Sequence, residues 1–184
     1  MRIKCLSKQI KSENLKNNYD NEFLEINKEY NVYGMLVDDG QVYYYTCDHL
    51  QDDYPLAMPD SLFEIVENHL SRFWVFFSAG DGLKKKLICI FPEWIAEPYF
   101  QDKLTDWEVR EVKIFKTYKE LMDLEFPNPS IIETAEIADS QWLMCPLCID
   151  AWESSNDRDG MVRCPKCKTI MHNPRYLSCE IKFT

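Results

Sequence analysis

Short apolar stretches separated by turn residues fill the first half of the chain. Residues 2–6 form a possible first strand, and β-forming residues then dominate residues 30–37 and 41–47. Between the last two lies Asp38-Asp39-Gly40, a strong signal for a β-hairpin. The apolar residues of segment 30–37 do not alternate strictly, and Gly34 lies within it, so we expect a bulge near Gly34.

Four more segments continue this pattern. Residues 55–59 are bounded by prolines, as in an edge strand. Residues 61–70 fit a helix as well as a strand, and we favour a strand over residues 62–67 because short strands surround them. Residues 73–77 and 86–91 predict another hairpin. With no segment of full helical length among these strands, we expect a small curled sheet or an SH3-like barrel over residues 23–91.

Helical signals follow the strands. Pro92 suits the first position of a short helix that ends before Pro98. Residues 105–108, Thr-Asp-Trp-Glu, match a capping box that opens a helix to about residue 125. Its apolar stripe, expected to pack against the sheet, comprises Ile114, Phe115, Tyr118, Leu121 and Met122. Strands followed by helices predict an α+β fold.

Four cysteines near the C-terminal end carry the clearest chemistry. Cys145 and Cys148 form one Cys-Pro-x-Cys pair, Cys164 and Cys167 form a second, and fifteen residues separate the pairs. A two-residue gap lets both thiolates of a pair face one ion from a tight turn. This spacing is typical of a tetrahedral zinc site.

The cysteine motif resembles a zinc ribbon over residues 141–173. The resemblance implies one structural Zn²⁺, since four thiolates leave no open position for substrate. We expect one hairpin, turning at residues 156–160, to bring the two pairs together. Many ribbons carry glycine directly after the second cysteine, where this chain has Ile149 and Lys168. Because β-branched residues avoid positive φ, the first turn is expected to differ.

Other interpretations of the cysteines stay open. Eight cysteines are an even number that suits disulfides, although a chain of 184 residues can build a core without them. Iron in a rubredoxin-like site is the main rival metal. His172 and Cys179 are close enough in sequence to be substitute ligands, but a surface histidine and a small buried cysteine are the simpler interpretation.

The predicted organisation is one ordinary domain followed by a small module. Residues 1–21 form an N-terminal strand and polar arm, 22–126 a β-rich body with C-terminal helices, 127–140 a linker and 141–184 the zinc ribbon. The longest apolar runs have strand length, so no membrane association is expected. With no secretory signal and reduced-looking cysteines, we expect a cytoplasmic protein.

Charge is distributed unevenly along the chain. The whole chain carries −10, of which residues 1–18 carry +4 and residues 141–184 carry +1, so residues 19–140 hold −15. A strongly acidic body disfavours non-specific binding to nucleic acid, because that affinity comes from neutralising phosphates. It suits rapid association with a basic protein.

Residues 23–126 resemble small uncharacterised bacterial proteins, some of them similar to immunity proteins of toxin systems. The segments that carry the resemblance are LEINKEYNVYGMLV, SLFEIVENHL and KTYKELMDLEFP. It implies an acidic inhibitor of a basic toxin, and it identifies no site residues. The alternative is a transcription- or RNA-related factor with the ribbon as reader, supported by Arg158, Arg163, Lys166, Lys168 and Arg175, with Trp152 and Tyr176 as stackers.

No pattern in the chain favours an enzyme. The sequence lacks a phosphate-binding glycine loop, a G-x-S-x-G elbow and an H-E-x-x-H motif. Cys47 and His49 are the only close Cys/His neighbours outside the ribbon. Carboxylates of the loop that follows, such as Asp52 and Asp53, lack the spacing of an EF-hand. We therefore expect a non-enzymatic protein.

Overall fold

The computed structural model describes residues 1–10, 19–20, 22–47, 53–79 and 86–176. The chain divides into two units, Met1–Met122 and Asp123–Thr184. The strands are β1 Arg2–Cys5, β2 Gln9–Ile10, β3 Tyr19–Asp20, β4 Glu29–Asn31, β5 Gly34–Asp38, β6 Gln41–Thr46, β7 Leu56–Pro59, β8 Phe63–Glu67, β9 Val75–Ala79, β10 Lys86–Ile90, β11 Glu136–Asp139, β12 Trp142–Met144, β13 Ala151–Glu153, β14 Met161–Arg163 and β15 Ile170–His172. The helices are α1 Pro92–Ala96, α2 Phe100–Thr105 and α3 Val109–Glu125, and a 3₁₀ turn Asp60–Leu62 precedes β8.

The first unit is built on two larger antiparallel sheets. One has three strands in the order β4-β1-β8, and the other has five in the order β7-β6-β5-β10-β9. The short strands β2 and β3 pair separately. The described helices are too short or too polar to span a membrane.

Successive tyrosines of β6 show that the five-stranded sheet is buried on both faces. Tyr44 belongs to a core shared with Ile3 and Tyr30 of the three-stranded sheet. Tyr45 belongs to a core shared with Phe91 and with Phe115 of α3. Because neighbouring residues of a strand point to opposite faces, the five-stranded sheet is the middle of three layers. This supports the predicted α+β class.

The predicted SH3-like barrel is not found among the described residues, because the strands form open sheets instead. The single strand expected over residues 30–37 divides into β4 and β5, which lie in different sheets. Gly34 does not mark a bulge within one strand. A Cβ at Gly34 would lie 2.6 Å from Ile90 Cδ1, so glycine there permits close packing.

The local hairpin predictions are confirmed. β5 and β6 pair around Asp39 and Gly40, which have φ of 51° and 80° as a tight hairpin turn requires. β9 pairs with β10 as expected. The proline-bounded strand β7 lies at the edge of its sheet, where a missing amide hydrogen is tolerated.

The predicted capping box is wrong. Thr105 is the last residue of α2, and its hydroxyl donates hydrogen bonds to the carbonyls of Gln101 and Asp102. A turn with Trp107 at a φ of 62° separates α2 from α3. Within the predicted apolar stripe of α3, Phe115 and Met122 are fully buried, whereas the other members are half-buried or partly exposed.

The second unit contains two small antiparallel sheets, β11-β12-β13 and β14-β15. The segment 127–140, expected to be a linker, contains β11, and Thr134 forms a bridge with His172. The fifteen residues between the cysteine pairs do not form the single hairpin that we expected. They supply β13 to one sheet and β14 to the other.

Candidate metal centre

Each cysteine pair lies in the turn of its own hairpin. The first pair connects β12 to β13, and the second connects β14 to β15. Both turns have the same backbone hydrogen bonds. In the first turn, Cys145 N donates to Asp150 O and Ile149 N donates to Cys145 O, each at 2.9 Å. In the second turn, Cys164 N donates to Thr169 O at 2.9 Å and Lys168 N donates to Cys164 O at 3.0 Å.

The residues after the second cysteines adopt left-handed backbone. Ile149 has a φ of 58° and Lys168 a φ of 64°. The expectation that the first turn would differ is therefore wrong, because the hairpin geometry overrides the preference of a β-branched residue. We call the two turns, residues 145–150 and 164–169, the first and second knuckles.

The two knuckles bring all four sulfur atoms together. Cys145 Sγ lies 3.7 Å from Cys167 Sγ, and Cys148 Sγ lies 3.6 Å from Cys164 Sγ. All four Sγ atoms lie within 4.8 Å of one another. Each close pair joins one knuckle to the other, so a single central ion would link both hairpins.

The sulfur spacing fits a tetrahedral metal. A centre with metal–sulfur bonds of about 2.3 Å has sulfur–sulfur edges of about 3.8 Å. Disulfide sulfurs lie only about 2.05 Å apart, and the four cysteines of the cluster form no disulfide. The cluster can therefore hold a metal ion such as zinc. Thiolate tetrahedra also accept iron, so the spacing alone fits both metals.

The surroundings shift the pKa values of Cys167 and Cys148 in opposite directions. Hydrogen bonding with the side chain of Thr169, whose Oγ1 lies 3.3 Å from Cys167 Sγ, and with the Thr169 backbone lowers the pKa of Cys167 to about 6. The Asp150 N–H lowers the pKa of Cys148, but burial and contacts with the other three cysteines raise it to about 12. A divalent ion would remove this conflict by neutralising the crowded thiolates.

A small core supports the knuckles from within the unit. Cys145 and Cys164 are fully buried beside Leu143 and Met171, while Cys148 is half-buried and Cys167 is exposed. This core is too small to hold a stable module by itself. A metal ion held by the four sulfurs would tie the two sheets of the unit together.

His172, the described one of the two other candidate ligands, does not join the cluster. His172 Nε2 lies 2.8 Å from the carbonyl of Ile131, so this half-buried histidine belongs to the backbone network. Cys179, His49 and Asp52 lie outside the described residues. Cys47 is buried in the core of the first unit, and Asp53 forms an ion pair with Lys116 at 2.5 Å.

Two residues without a sequence signal fix the loops of this unit. Asn173 is buried, and its side-chain amide donates to the carbonyls of Asn156 and Asp159 at 2.8 Å each. Arg175 donates to the carbonyls of residues 139, 140 and 142 at the turn between β11 and β12. Their roles depend on loops far away in sequence, so no local motif could reveal them.

Comparisons with models of protein families, with curated proteins and with solved structures find no match for this chain. The four-cysteine cluster therefore rests on its own geometry.

Proposed function

We propose that this protein is a non-enzymatic zinc-binding protein that acts through protein–protein interaction. The observation that carries the proposal is the closed set of four thiol sulfurs, Cys145, Cys148, Cys164 and Cys167. Four protein ligands fill a tetrahedral ion and leave no position for a reacting water, so one structural Zn²⁺ suits the cluster best.

The acidic charge supports a basic protein as the partner. Residues 19–140 hold the −15 that dominates the net charge of the chain. Complementary charge accelerates encounter and excludes wrongly charged partners. The resemblance of residues 23–126 to immunity-like bacterial proteins points the same way, to an inhibitor that binds a basic toxin.

The knuckles offer a second contact surface, which is apolar on the first knuckle and basic on the second. Leu147 and Ile149 expose apolar side chains on the first knuckle. Lys166 and Lys168 stand at the equivalent places on the second knuckle and are exposed. An apolar patch beside two cations suits a protein partner better than a phosphate backbone, which calls for a continuous basic face.

Nucleic-acid reading by the ribbon is the competing function, and Lys166 and Lys168 are the observation that favours it. Against it, Arg175 already donates to three backbone carbonyls. A ribbon that binds nucleic acid would therefore have fewer cationic side chains available for phosphate contacts than the sequence indicates.

The test is capture of partners from a lysate of the source cells by the zinc-loaded protein, with and without nuclease treatment, followed by mass spectrometry. Retention of one basic protein after nuclease treatment is expected, and the purified pair should then be tested for inhibition of the partner. Loss of every associate on nuclease treatment would replace this proposal with nucleic-acid reading.

A further inference from the structure

Strand β9 is an unprotected edge of the five-stranded sheet. It pairs with β10 on one side, and none of the described strands pairs with it on the other. An edge strand presents unpaired N–H and C=O groups, so proteins usually protect it with charged residues or proline. β9 has the sequence VFFSA and contains neither. Nothing in its sequence therefore opposes pairing with another strand.

The other edge strands carry such protection. Among the described edge strands of three residues or more, each except β9 contains a charged residue, a histidine or a proline: Glu29 in β4, Pro59 in β7, Glu64 and Glu67 in β8, Glu136 and Asp139 in β11, Glu153 in β13, Arg163 in β14 and His172 in β15. The two edges of the five-stranded sheet thus differ, because β7 is protected and β9 is not.

The first face of β9 is exposed although the same face of the sheet is covered at β6. Residues directly opposite each other in a sheet share a face, which gives the row Tyr44, Met35, Cys89 and Phe76. Tyr44 is buried in the core shared with the three-stranded sheet. Phe76, at the end of the row, is 66% exposed. The cover over this face therefore does not reach β9.

The second face of β9 is also incompletely covered. Val75 pairs with Ile90, which is fully buried in the core on the helical side of the sheet. Val75 and Phe77 are nevertheless 41% and 45% exposed. Three consecutive large apolar residues are therefore exposed on the two faces of one edge strand.

Charge favours a second copy of this chain as the occupant of this edge. The chain carries −10, so two copies repel each other most weakly where neither presents an acidic side chain. Pairing β9 with its own copy brings no charged residue of the strand into the contact, whereas pairing through β8 or β11 would bring carboxylates of both copies together. A basic partner would gain no charge attraction at β9, because the strand holds no carboxylate.

We propose that two copies of this chain pair antiparallel through β9, which joins their five-stranded sheets into one. A two-fold axis perpendicular to the sheet pairs only residues that share a face. With Phe76 opposite Phe76 of the second copy, Val75 of each chain lies opposite Phe77 of the other. Every exposed large apolar residue of β9 then has an apolar partner. Centring the axis on Phe77 would instead place Phe76 opposite Ser78.

Sedimentation of the intact, zinc-loaded chain over a range of concentrations tests the pairing. We expect a reversible rise in mass from the 21.9 kDa of one chain to twice that value, with a micromolar dissociation constant because the paired strand is short. Since β9 is used up in the pair, assembly should stop at two chains. A single chain at every concentration up to about 1 mM, or growth beyond two chains, would overturn the inference.

A charged residue at the centre of the pair should prevent it. Phe76→Lys places two like charges opposite each other at the axis, so we expect dimerisation to weaken about a hundredfold or more. Ile65→Lys is the matched control, because Ile65 is 52% exposed on β8, an edge strand of the other sheet. It should leave the dimer unchanged. No effect of Phe76→Lys, or an equal effect of both variants, would contradict the assignment to β9.

Opposite charges test the register. Phe76→Glu alone should be monomeric like Phe76→Lys, but an equal mixture of the two should form a mixed dimer, because opposite charges then lie across the axis. Recovery of the dimer would also show that both variants are folded. If both keep the near-ultraviolet circular dichroism of the unaltered protein and the mixture stays monomeric, Phe76 does not pair with itself.

Hydrogen exchange tests the contact in the unaltered protein. The backbone amides of residues 75–79 should exchange more slowly above the dissociation constant of the dimer than below it, and those of residues 63–67 should not change. Equal exchange of residues 75–79 at both concentrations would refute the pairing. Slowing of these amides only when the basic partner is added to a monomeric protein would make that partner, and not a second copy, the occupant of β9.

Discussion

Ile149 and Lys168 occupy the same position in the two knuckles and share a left-handed backbone, with φ of 58° and 64°. Each amide donates to the carbonyl of the first cysteine in its knuckle. The turn that points two sulfurs at one ion therefore requires this conformation, whatever the residue. Glycine would adopt it without strain, so both side chains are retained at a cost in stability.

Replacing Ile149 with glycine should stabilise the second unit. Ile149 is 67% exposed, so little packing is lost, while the strain of left-handed isoleucine, about 1 kcal/mol, is relieved. The measurement is thermal unfolding of the zinc-loaded protein, with Lys168→Gly as the matched comparison. A gain is expected for both, and it should be larger for Ile149→Gly because of the β-branch. A loss of stability in Ile149→Gly would mean that the exposed side chain makes a contact of its own.

Loss of one thiol should release the metal. Cys148→Ser leaves three sulfurs for the ion, and we expect the variant to purify with less than one zinc per chain and an unfolded second unit. Sites of this class contribute about 10–16 kcal/mol of apparent stability, far more than so small a core can supply. Metal content by mass spectrometry and the Trp142 and Trp152 fluorescence report the two effects.

Cys89→Ser is the control for that experiment. Cys89 is a buried cysteine in β10 of the first unit, away from the four-cysteine cluster, so Cys89→Ser should leave the zinc content at one ion per chain. Full zinc content in Cys148→Ser would contradict the four-thiolate assignment. Iron bound in place of zinc in the purified wild-type protein would correct the metal while keeping the ligands.

Local chemistry accounts for most of what the sequence predicts correctly. The cysteine spacing and the Asp39-Gly40 turn each specify a feature within a few residues, and both appear as expected. The capping box failed although its residues are adjacent, because Thr105 satisfies carbonyls of the preceding helix instead. The sequence pattern does not show whether a threonine between two helices caps the second helix or hydrogen-bonds to the end of the first.

Long-range packing accounts for what the sequence could not show. The break between β4 and β5 follows from Val32, which is fully buried, and from the close approach of Ile90 to Gly34. Both depend on partners far along the chain. The roles of Asn173 and Thr169 could not be predicted from the sequence either. The buried amide of Asn173 and the hydroxyl of Thr169 near Cys167 Sγ are identified only by their neighbours in space.

Alkaline pH should weaken the first unit through Tyr118. Burial raises the pKa of Tyr118 to about 12, with a further contribution from the hydrogen bond and charge of Glu93. The unfolded chain loses this proton near pH 10, before the folded chain does, so unfolding becomes easier as the pH rises from about 10 to about 12. Below pH 10 the stabilisation is fully present.

The Tyr118→Phe variant isolates this effect. Subtracting its tyrosinate absorbance titration from that of the unaltered protein should leave one group with a midpoint near pH 12. A midpoint near pH 10 in the difference titration would show that burial and Glu93 do not raise the pKa of Tyr118. The variant should also lose less stability between pH 10 and 12 than the unaltered protein.

Gly160 is expected to tolerate no side chain. A Cβ there would collide with the backbone nitrogen and Cδ of Pro127, and would lie 2.7 Å from the carbonyl carbon of Phe126. Since Gly160 also donates to Glu125 O at 3.0 Å and accepts from Asn173 N at 2.9 Å, the backbone cannot shift without losing both bonds. Gly160→Ala should destabilise the second unit by about 3 kcal/mol or more, as overpacking against backbone does.

Gly40→Ala is the matched comparison, because a Cβ at Gly40 meets nothing within 4 Å and only its φ of 80° is strained. That change should cost about 1 kcal/mol in the first unit, so chemical denaturation that ranks Gly40→Ala as the more damaging variant would contradict the packing described for Gly160.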